Sequence, residues 1–334
     1  MPYAVQVGQL QTGGLSGARV WQAESVQGPV AVRCWPAEHP TPQRLAQIHS
    51  ALSTARKSGQ LCIPNIFANR AGETFTSDGH RLWELSQWMP GVADYHQSPT
   101  HERLSSAMSA LASLHNAWAL STSTAVAAAS PTVAQRREKL QEWLLRLPDL
   151  QRHYVCVANY EQSFQDLVQR TLWQLAARGP AELQALGKLQ RQSVSLHFVL
   201  RDIWSDHVLF TNGQVSGIID FGASRVDEPA TDVARLLGSL EPMDANRWQF
   251  GWDTYRQHNP TVNYERVVVL DRVANLLSAL QWFEWLVIEL RSFRVQQQEL
   301  IARWQRLLVR LESRQQAIDI DEPAPVDRND SLAQ

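Results

Sequence analysis

Three cysteines in 334 residues, Cys34, Cys62 and Cys156, share no spacing that would bring them onto one metal. So sparse and odd a set excludes a disulfide scaffold and fits free thiols in a reducing compartment. A long apolar run is also missing. The most hydrophobic stretch, VANLLSALQWFEWLVIEL, is interrupted by Glu284 and Glu289 and reads as a buried or amphipathic helix rather than a membrane span. The opening residues, MPYAVQVGQLQTGG, lack the basic start and apolar core of a secretory signal. Positive charge is not in excess: 31 Lys and Arg stand against 33 Asp and Glu, a net charge of -2, which argues against a nucleic-acid-binding surface. No internal repeat is visible. The expectation from these absences is a cytoplasmic protein with no membrane and no nucleic-acid partner. Its hydrophobic fraction, 44%, is enough for a core in one large or two moderate domains.

The informative stretch is residues 195–240, SLHFVLRDIWSDHVLFTNGQVSGIIDFGASRVDEPATDVARLLGSL. SLHFVL has the length and apolarity of a strand, and RDIWSD is loop-like. HVLFT and QVSGII flank Asn212-Gly213, a dipeptide suited to a two-residue hairpin turn. That turn sets Thr211 opposite Gln214 and His207 opposite Ile218. Alternation then predicts that His207, Leu209, Ser216, Ile218 and Asp220 share a face. Asp202 lies in the loop that feeds the same open end. Three groups able to handle protons or metals thus converge at one hairpin mouth.

A loop Asp, a possible ligand five residues on, a hairpin and then Asp220-Phe221-Gly222 resemble the catalytic segment of protein-kinase-like phosphotransferases. The longer run IIDFGASRVDEPATDVARLL is similar to the aminoglycoside phosphotransferase and choline kinase branch. The resemblance implies an α+β, bilobal protein-kinase-like fold with a small β-rich lobe and a larger, mostly helical one. It implies ATP-dependent transfer of a phosphoryl group to a hydroxyl of a small molecule, with Mg2+, or alternatively Mn2+, on the phosphates. Asp202 would be the catalytic carboxylate, with Arg201 beside it. Asp220 would hold the metal, together with His207 where the family has an Asn. Asp232, in the first turn of the following helix, would brace the catalytic loop; a carboxylate there also suits any helix start.

Earlier segments take their meaning from that one. Gly13, Gly14 and Ser16 lie in a glycine-rich turn between two strand-like runs, where the backbone can approach a phosphate closely. VAVRCW carries Arg33 where the family has a phosphate-binding lysine; the charge is kept but the shape is not. Thr41 and Pro42 open a helix that lacks any acid up to Gly59, so the family's helix glutamate is missing, and Gln43 or His49 would have to substitute for it. WELSQWMPG resembles the segment between the lobes, with Gln87, Trp88 and Met89 expected to meet adenine through their backbone. Trp204 would shape the acceptor pocket. The expected division is 1–86 for the small lobe, 87–91 for the hinge, 92–316 for the helical lobe and 317–334 for a disordered acidic tail. Residues 119–135, rich in Ala, Ser and Thr, read as a mobile loop or insertion, and helices are expected near 132–147, 160–178 and 180–192. The departures at Arg33, Leu200 and His207 keep a second reading open: a pseudokinase or nucleotide-binding scaffold without turnover.

Overall fold

The computed structural model describes residues 6–11, 17–26, 28–121, 126–154, 162–293 and 296–321. Strands β1 (Gln6–Gln11), β2 (Arg19–Ser25) and β3 (Gly28–Cys34) run antiparallel in sequence order. Helix α1 (Pro42–Lys57) follows; Thr41 caps it by accepting from the Arg44 amide at 3.2 Å, and Pro42 occupies its first position. Short strands β4 (Ile66–Phe67) and β5 (Phe75–Ser77) pair along one edge of β6 (Leu82–Gln87), whose other edge pairs with β3. Leu82, Glu84 and Ser86 alternate inward along β6, so this buried face includes a carboxylate. Trp35, Leu45, Leu82 and Phe75 form the core between the sheet and α1.

Helix α2 (His101–Ser121) buries Leu104, Met108, Leu111 and Leu114 along one stripe, as their spacing predicts. Beyond it the sequence reading needs correcting. Within the segment read as a mobile loop lies β7 (Val126–Ala128), which pairs with β8 (Val194–Val199). Small residues hide this strand, because its backbone ladder and not its side chains carries the pairing. Helices α3 (Pro131–Tyr154) and α4 (Gln162–Gln190) both run on through a proline, Pro148 and Pro180. The expected break at Gly179-Pro180 does not occur. A proline inside a helix costs about 3 kcal/mol, but α4 buries Leu167, Val168, Leu172, Leu175, Leu186 and Leu189. A side chain at Gly179 would also meet Leu144 at 2.7 Å, so the glycine permits close packing there.

The hairpin forms from β9 (Val208–Thr211) and β10 (Gln214–Ile218), with Asn212 and Gly213 both at positive φ (51° and 79°), as a type I′ turn requires. Thr211 faces Gln214 as expected. A bulge at Ser216 then shifts the register, so Ile218 pairs with Val208 and the Ile219 amide bonds to the His207 carbonyl at 3.0 Å. His207 therefore does not face Ile218, and it sits in a 3-10 turn (Ser205–His207) ahead of the strand. The bulge has a local cause. Ser216 Oγ donates to the Pro90 carbonyl at 2.7 Å, and a side chain at Gly217 would collide with Met89 at 2.8 Å.

Strand β11 (Arg225–Asp227) pairs with β8; helices α5 (Ala230–Leu240), α6 (Ala245–His258) and α7 (Tyr264–Phe283) follow, the last passing into a π-turn over Glu284–Ile288. Helix α8 (Gln297–Asp321) continues past residue 317, where the sequence reading began a disordered tail; 322–334 lie outside the described residues. Among the described residues no helix is long and apolar enough to cross a membrane. The chain divides into two compact units: Met1–Val133 with Gln190–Leu270, and Ala134–Leu189 with Asp271–Gln334. The first holds the sheet, α2 and the whole 194–258 region. The second is helical; Trp304 is fully buried there with its indole N–H on Thr171, and Arg310 bonds Asp271 and Asn275.

Candidate active site

Asp232 organises the loop after β8. Its carboxylate is fully buried and accepts the backbone amides of Leu200 at 2.7 Å and Arg201 at 2.6 Å. His115 Nε2 donates to the same carboxylate at 3.1 Å, and Tyr255 hydroxyl donates to His115 Nδ1 at 2.8 Å. Burial pushes the Tyr255 phenol well above its ordinary range, which keeps it a donor. Asp232 thus braces the turn in which Arg201 adopts a positive φ of 67°. Left-handed backbone at a non-glycine residue costs of order 1–3 kcal/mol and needs such support.

One side chain then links the two remaining acids. His207 Nδ1 lies 2.8 Å from the Asp202 carbonyl, and its Nε2 lies 2.8 Å from the Trp204 indole N–H and 3.7 Å from Asp220 Oδ2. An indole nitrogen can only donate, so Nε2 carries no proton. Nδ1 must therefore carry it and donate to the carbonyl. His207 is a neutral imidazole in a fixed tautomer, held between the Asp202 and Asp220 segments. Asp220 reaches it because its backbone turns left-handed (φ 64°), not through the alternation expected of an unbulged strand. The Asp202 and Asp220 carboxylates are 46% and 42% exposed, open enough to meet a ligand.

Each acid also has an arginine. Asp202 pairs with Arg235, one turn along α5 from Asp232. Asp220 Oδ1 lies 3.4 Å from Arg33 Nη1. Arg33 stacks over Trp35 at 4.8 Å, and its Nε lies 3.6 Å from Glu84 Oε1. Glu84 is the residue sequence reasoning missed. The acid absent from α1 is supplied by β6 instead, and α1 contributes His49, whose Nε2 donates to Glu84 Oε2 at 2.9 Å. The Trp35 indole donates to the same oxygen at 3.0 Å. Burial works to raise the Glu84 carboxyl, but the His49 hydrogen bond and the Arg33 charge outweigh it and hold the group below its ordinary range. A lone acid on the inward side of LWELSQ was the available signal.

The other expected site residues fall as follows. Gly13, Gly14 and Ser16 lie outside the described residues. The amides of Gln87 and Trp88 are engaged by the carbonyls of Asn65 at 2.8 Å and Pro29 at 3.2 Å, so those two donors are not available to a ligand. Met89, buried, follows them before the turn at Pro90-Gly91. Arg201 does not point at Asp202: its Nε lies 3.4 Å from buried Asp227. Trp204 is turned onto His207 rather than lining open space.

The donor set bears on a divalent cation. Nε2 of His207 and Oδ2 of Asp220 are two acceptors facing each other, with no proton of their own to share, and a cation fits between them. Among the described residues no group of three or more His, Cys, Asp and Glu is placed to hold a metal. The protein would thus supply two ligands and leave the rest to phosphate oxygens and water, as hard cations on nucleotides require. The imidazole has one lone pair at Nε2, so a metal held there would take the place of the Trp204 indole.

Residues 11–267 match the family model described as the phosphotransferase enzyme family. No curated protein sequence matches the chain. Solved structures share its fold at low identity. An aminoglycoside phosphotransferase from Alicyclobacillus acidocaldarius is 14% identical, with a TM-score of 0.67 over 96% of this chain and 92% of its own. A spectinomycin phosphotransferase in complex with ADP and spectinomycin is 13% identical, with a TM-score of 0.63 over 94% and 95%. An amicoumacin kinase in complex with AMP-PNP and Ca2+ is 11% identical, with a TM-score of 0.60 over 92% and 88%. The kinase-like α+β architecture, the braced loop and a family match over most of the chain agree: this protein belongs to the phosphotransferase enzyme family.

Proposed function

We propose that the protein transfers the γ-phosphoryl group of ATP to a hydroxyl of a small molecule. The observation that carries this reading is His207, whose ring touches the Asp202 loop through Nδ1 and faces Asp220 through Nε2. This supports a reading in which an acid for the acceptor, Asp202, and an acid for the metal, Asp220, act at one place. Asp202 orients the acceptor hydroxyl and takes its proton, and Arg235 holds that carboxylate in place. Asp220, with His207, holds the divalent cation, which when bound neutralises charge on the phosphates. Arg33, positioned by Glu84, swings from Asp220 to the phosphate oxygens. The adenine edge meets the Met89 backbone in the segment 87–91, which we take as the link between the β-rich part (1–86) and the helical part (92–316). The glycine turn with Gly13, Gly14 and Ser16 covers the phosphates. The acceptor is a hydroxyl-bearing small molecule of the aminoglycoside, choline, homoserine or sugar type; a structure of similar fold is in complex with spectinomycin.

A scaffold without turnover is the second reading. Its support is that each acid is already neutralised, Asp202 by Arg235 and Asp220 by Arg33. Coupled ADP release with a panel of hydroxyl compounds (aminoglycosides, spectinomycin, choline, homoserine, sugars) separates the two. Turnover that depends on acceptor and falls at least ~100-fold in Asp202→Asn, with the melting shift on ATP and metal retained, supports the enzyme. A melting shift with no turnover for any acceptor supports the scaffold.

A further inference from the structure

The 3-10 turn Ser205–His207 carries the imidazole that faces Asp220, and it has no cap of its own. Trp204 precedes it in extended backbone and offers its first amides no side-chain acceptor. The turn closes through the His207 amide on the Trp204 carbonyl at 2.9 Å and the Val208 amide on the Ser205 carbonyl. The Ser205 amide is left over. Ser205 is buried, so water does not replace a missing acceptor there.

The acceptor comes from α5. Ser239 Oγ, 34 residues on, accepts the Ser205 amide at 2.8 Å. Its own proton goes to the Leu236 carbonyl at 3.0 Å, which leaves a lone pair for the turn. Asp232, Arg235 and Ser239 are three and then four residues apart on α5, so they share one helix face. They hold the loop in sequence: Asp232 takes the amides of Leu200 and Arg201, Arg235 the carboxylate of Asp202, and Ser239 the amide of Ser205. That end of α5 is itself fixed. Glu241, just past it, accepts from the Tyr95 hydroxyl and from Arg247 Nε at 2.8 Å, and Arg247 Nη2 donates to the Tyr95 hydroxyl at 2.9 Å. Tyr95 opens a second 3-10 turn, Tyr95–Gln97, that also touches Ser205–His207.

Loss of the Ser239 hydroxyl strands a buried amide, and the turn relieves it by shifting until the amide meets water. His207 shifts with it. Its contacts at 2.8 Å to the Asp202 carbonyl and 2.8 Å to the Trp204 indole hold only while the turn keeps its shape.

We propose that Ser239 is a positioning residue for His207: its hydroxyl fixes the turn, and through it the tautomer and direction of the imidazole that faces Asp220. The consequence for metal binding rests on the reading of His207 as a ligand given above; the consequence for the tautomer does not. Partners that orient a metal-binding imidazole typically change metal affinity about ten- to a hundredfold when removed.

The test uses the full chain, metal-free, with 15N-labelled histidine, the His207 signals being identified by their loss in His207→Asn. The parent should show one protonated and one bare ring nitrogen, well separated. In Ser239→Ala the two should draw together as the tautomers exchange. Ser239→Thr, whose hydroxyl can bond the same preceding-turn carbonyl, should restore the separation. Isothermal titration with Mn2+ in the presence of AMP-PNP should show binding about tenfold weaker in Ser239→Ala and parent-like binding in Ser239→Thr. Should Ser239→Ala melt too low to measure, Ser239→Cys, of similar shape but a poorer acceptor, carries the same comparison. Parent-like His207 signals or parent-like Mn2+ affinity in the folded variant overturn the proposal, even where the melting temperature falls. Signals that draw together in Ser239→Ala, while the parent binds no Mn2+, uphold the positioning role and remove His207 from the metal.

Discussion

The segment 194–240 and the β-rich segment 28–91 each hold one acid–arginine arrangement, and they are built on different scales. In the first, Asp202 meets Arg235 across 33 residues and Asp232 meets Leu200 across 32. In the second, Arg33 reaches Asp220 across 187 residues, and Glu84 meets Trp35 and His49 across 49 and 35. The first is a locally encoded device, a strand, loop, hairpin and helix whose order places the groups. The second exists only once the sheet has formed and α1 has packed on it. A local device should fail by losing its backbone shape, a long-range one by losing its charge pattern while the fold survives.

The largest expected effect breaks the local device. Asp232→Ala leaves two buried amides and His115 without an acceptor and should destabilise the protein by about 3–5 kcal/mol. Thermal or urea unfolding measures this; a variant that melts with the parent would remove Asp232 from its bracing role.

The long-range device should respond differently. Glu84→Gln keeps the side chain's shape but frees Arg33 and His49 from a charge. Stability should fall less than for Asp232→Ala, while the half-saturating ATP concentration rises about tenfold, one charged hydrogen bond's worth. Glu84 also predicts an acid limb. Its folded pKa lies below the ordinary carboxyl value of 4.5, so its contribution is present above that value and is lost as pH falls through the lower, folded one. Glu84→Gln should flatten that limb, and an unchanged limb would assign it elsewhere.

His197 sharpens the comparison on the local side. It is buried behind the braced loop, and burial lowers its pKa from 6.5 to about 4. The unfolded chain then binds the extra proton between those values, so stability declines as pH drops from about 6.5 to about 4. A His197→Gln variant should lose this dependence in urea melts across that window, and a profile parallel to the parent's would contradict it.

The smallest effect concerns the metal. Trp204→Phe removes the indole donor from His207 Nε2 and should tighten Mn2+ binding roughly two- to tenfold, the range of one neutral hydrogen bond. Isothermal titration in the presence of a nucleotide reads it directly. Weaker binding would mean that the indole orients the imidazole for the metal rather than competing with it.

Much of the local device was legible in the residues. Asn212-Gly213 sets the turn, and Asp202, His207 and Asp220 stand at intervals that bring them toward one end of it. The expected face was nevertheless wrong, since the bulge at Ser216 moved His207 off Ile218. Asp220 came back to His207 through a positive φ that no alternation rule contains. Glu84 escaped notice because its partners lie in a helix and a neighbouring strand, and nothing along LWELSQ says what the inward face meets. The Trp204 indole on His207 was equally invisible, because the side chain's direction depends on the 3-10 turn that carries it.

By itself, then, the chain's order of residues determined the family, the hairpin and the acids' approximate neighbourhood, because turn chemistry and hydrophobic period act over a few residues. Tertiary structure alone decided which cation stands by which acid and which tautomer His207 adopts. Charges and lone pairs act through space, and only the packed chain sets those distances.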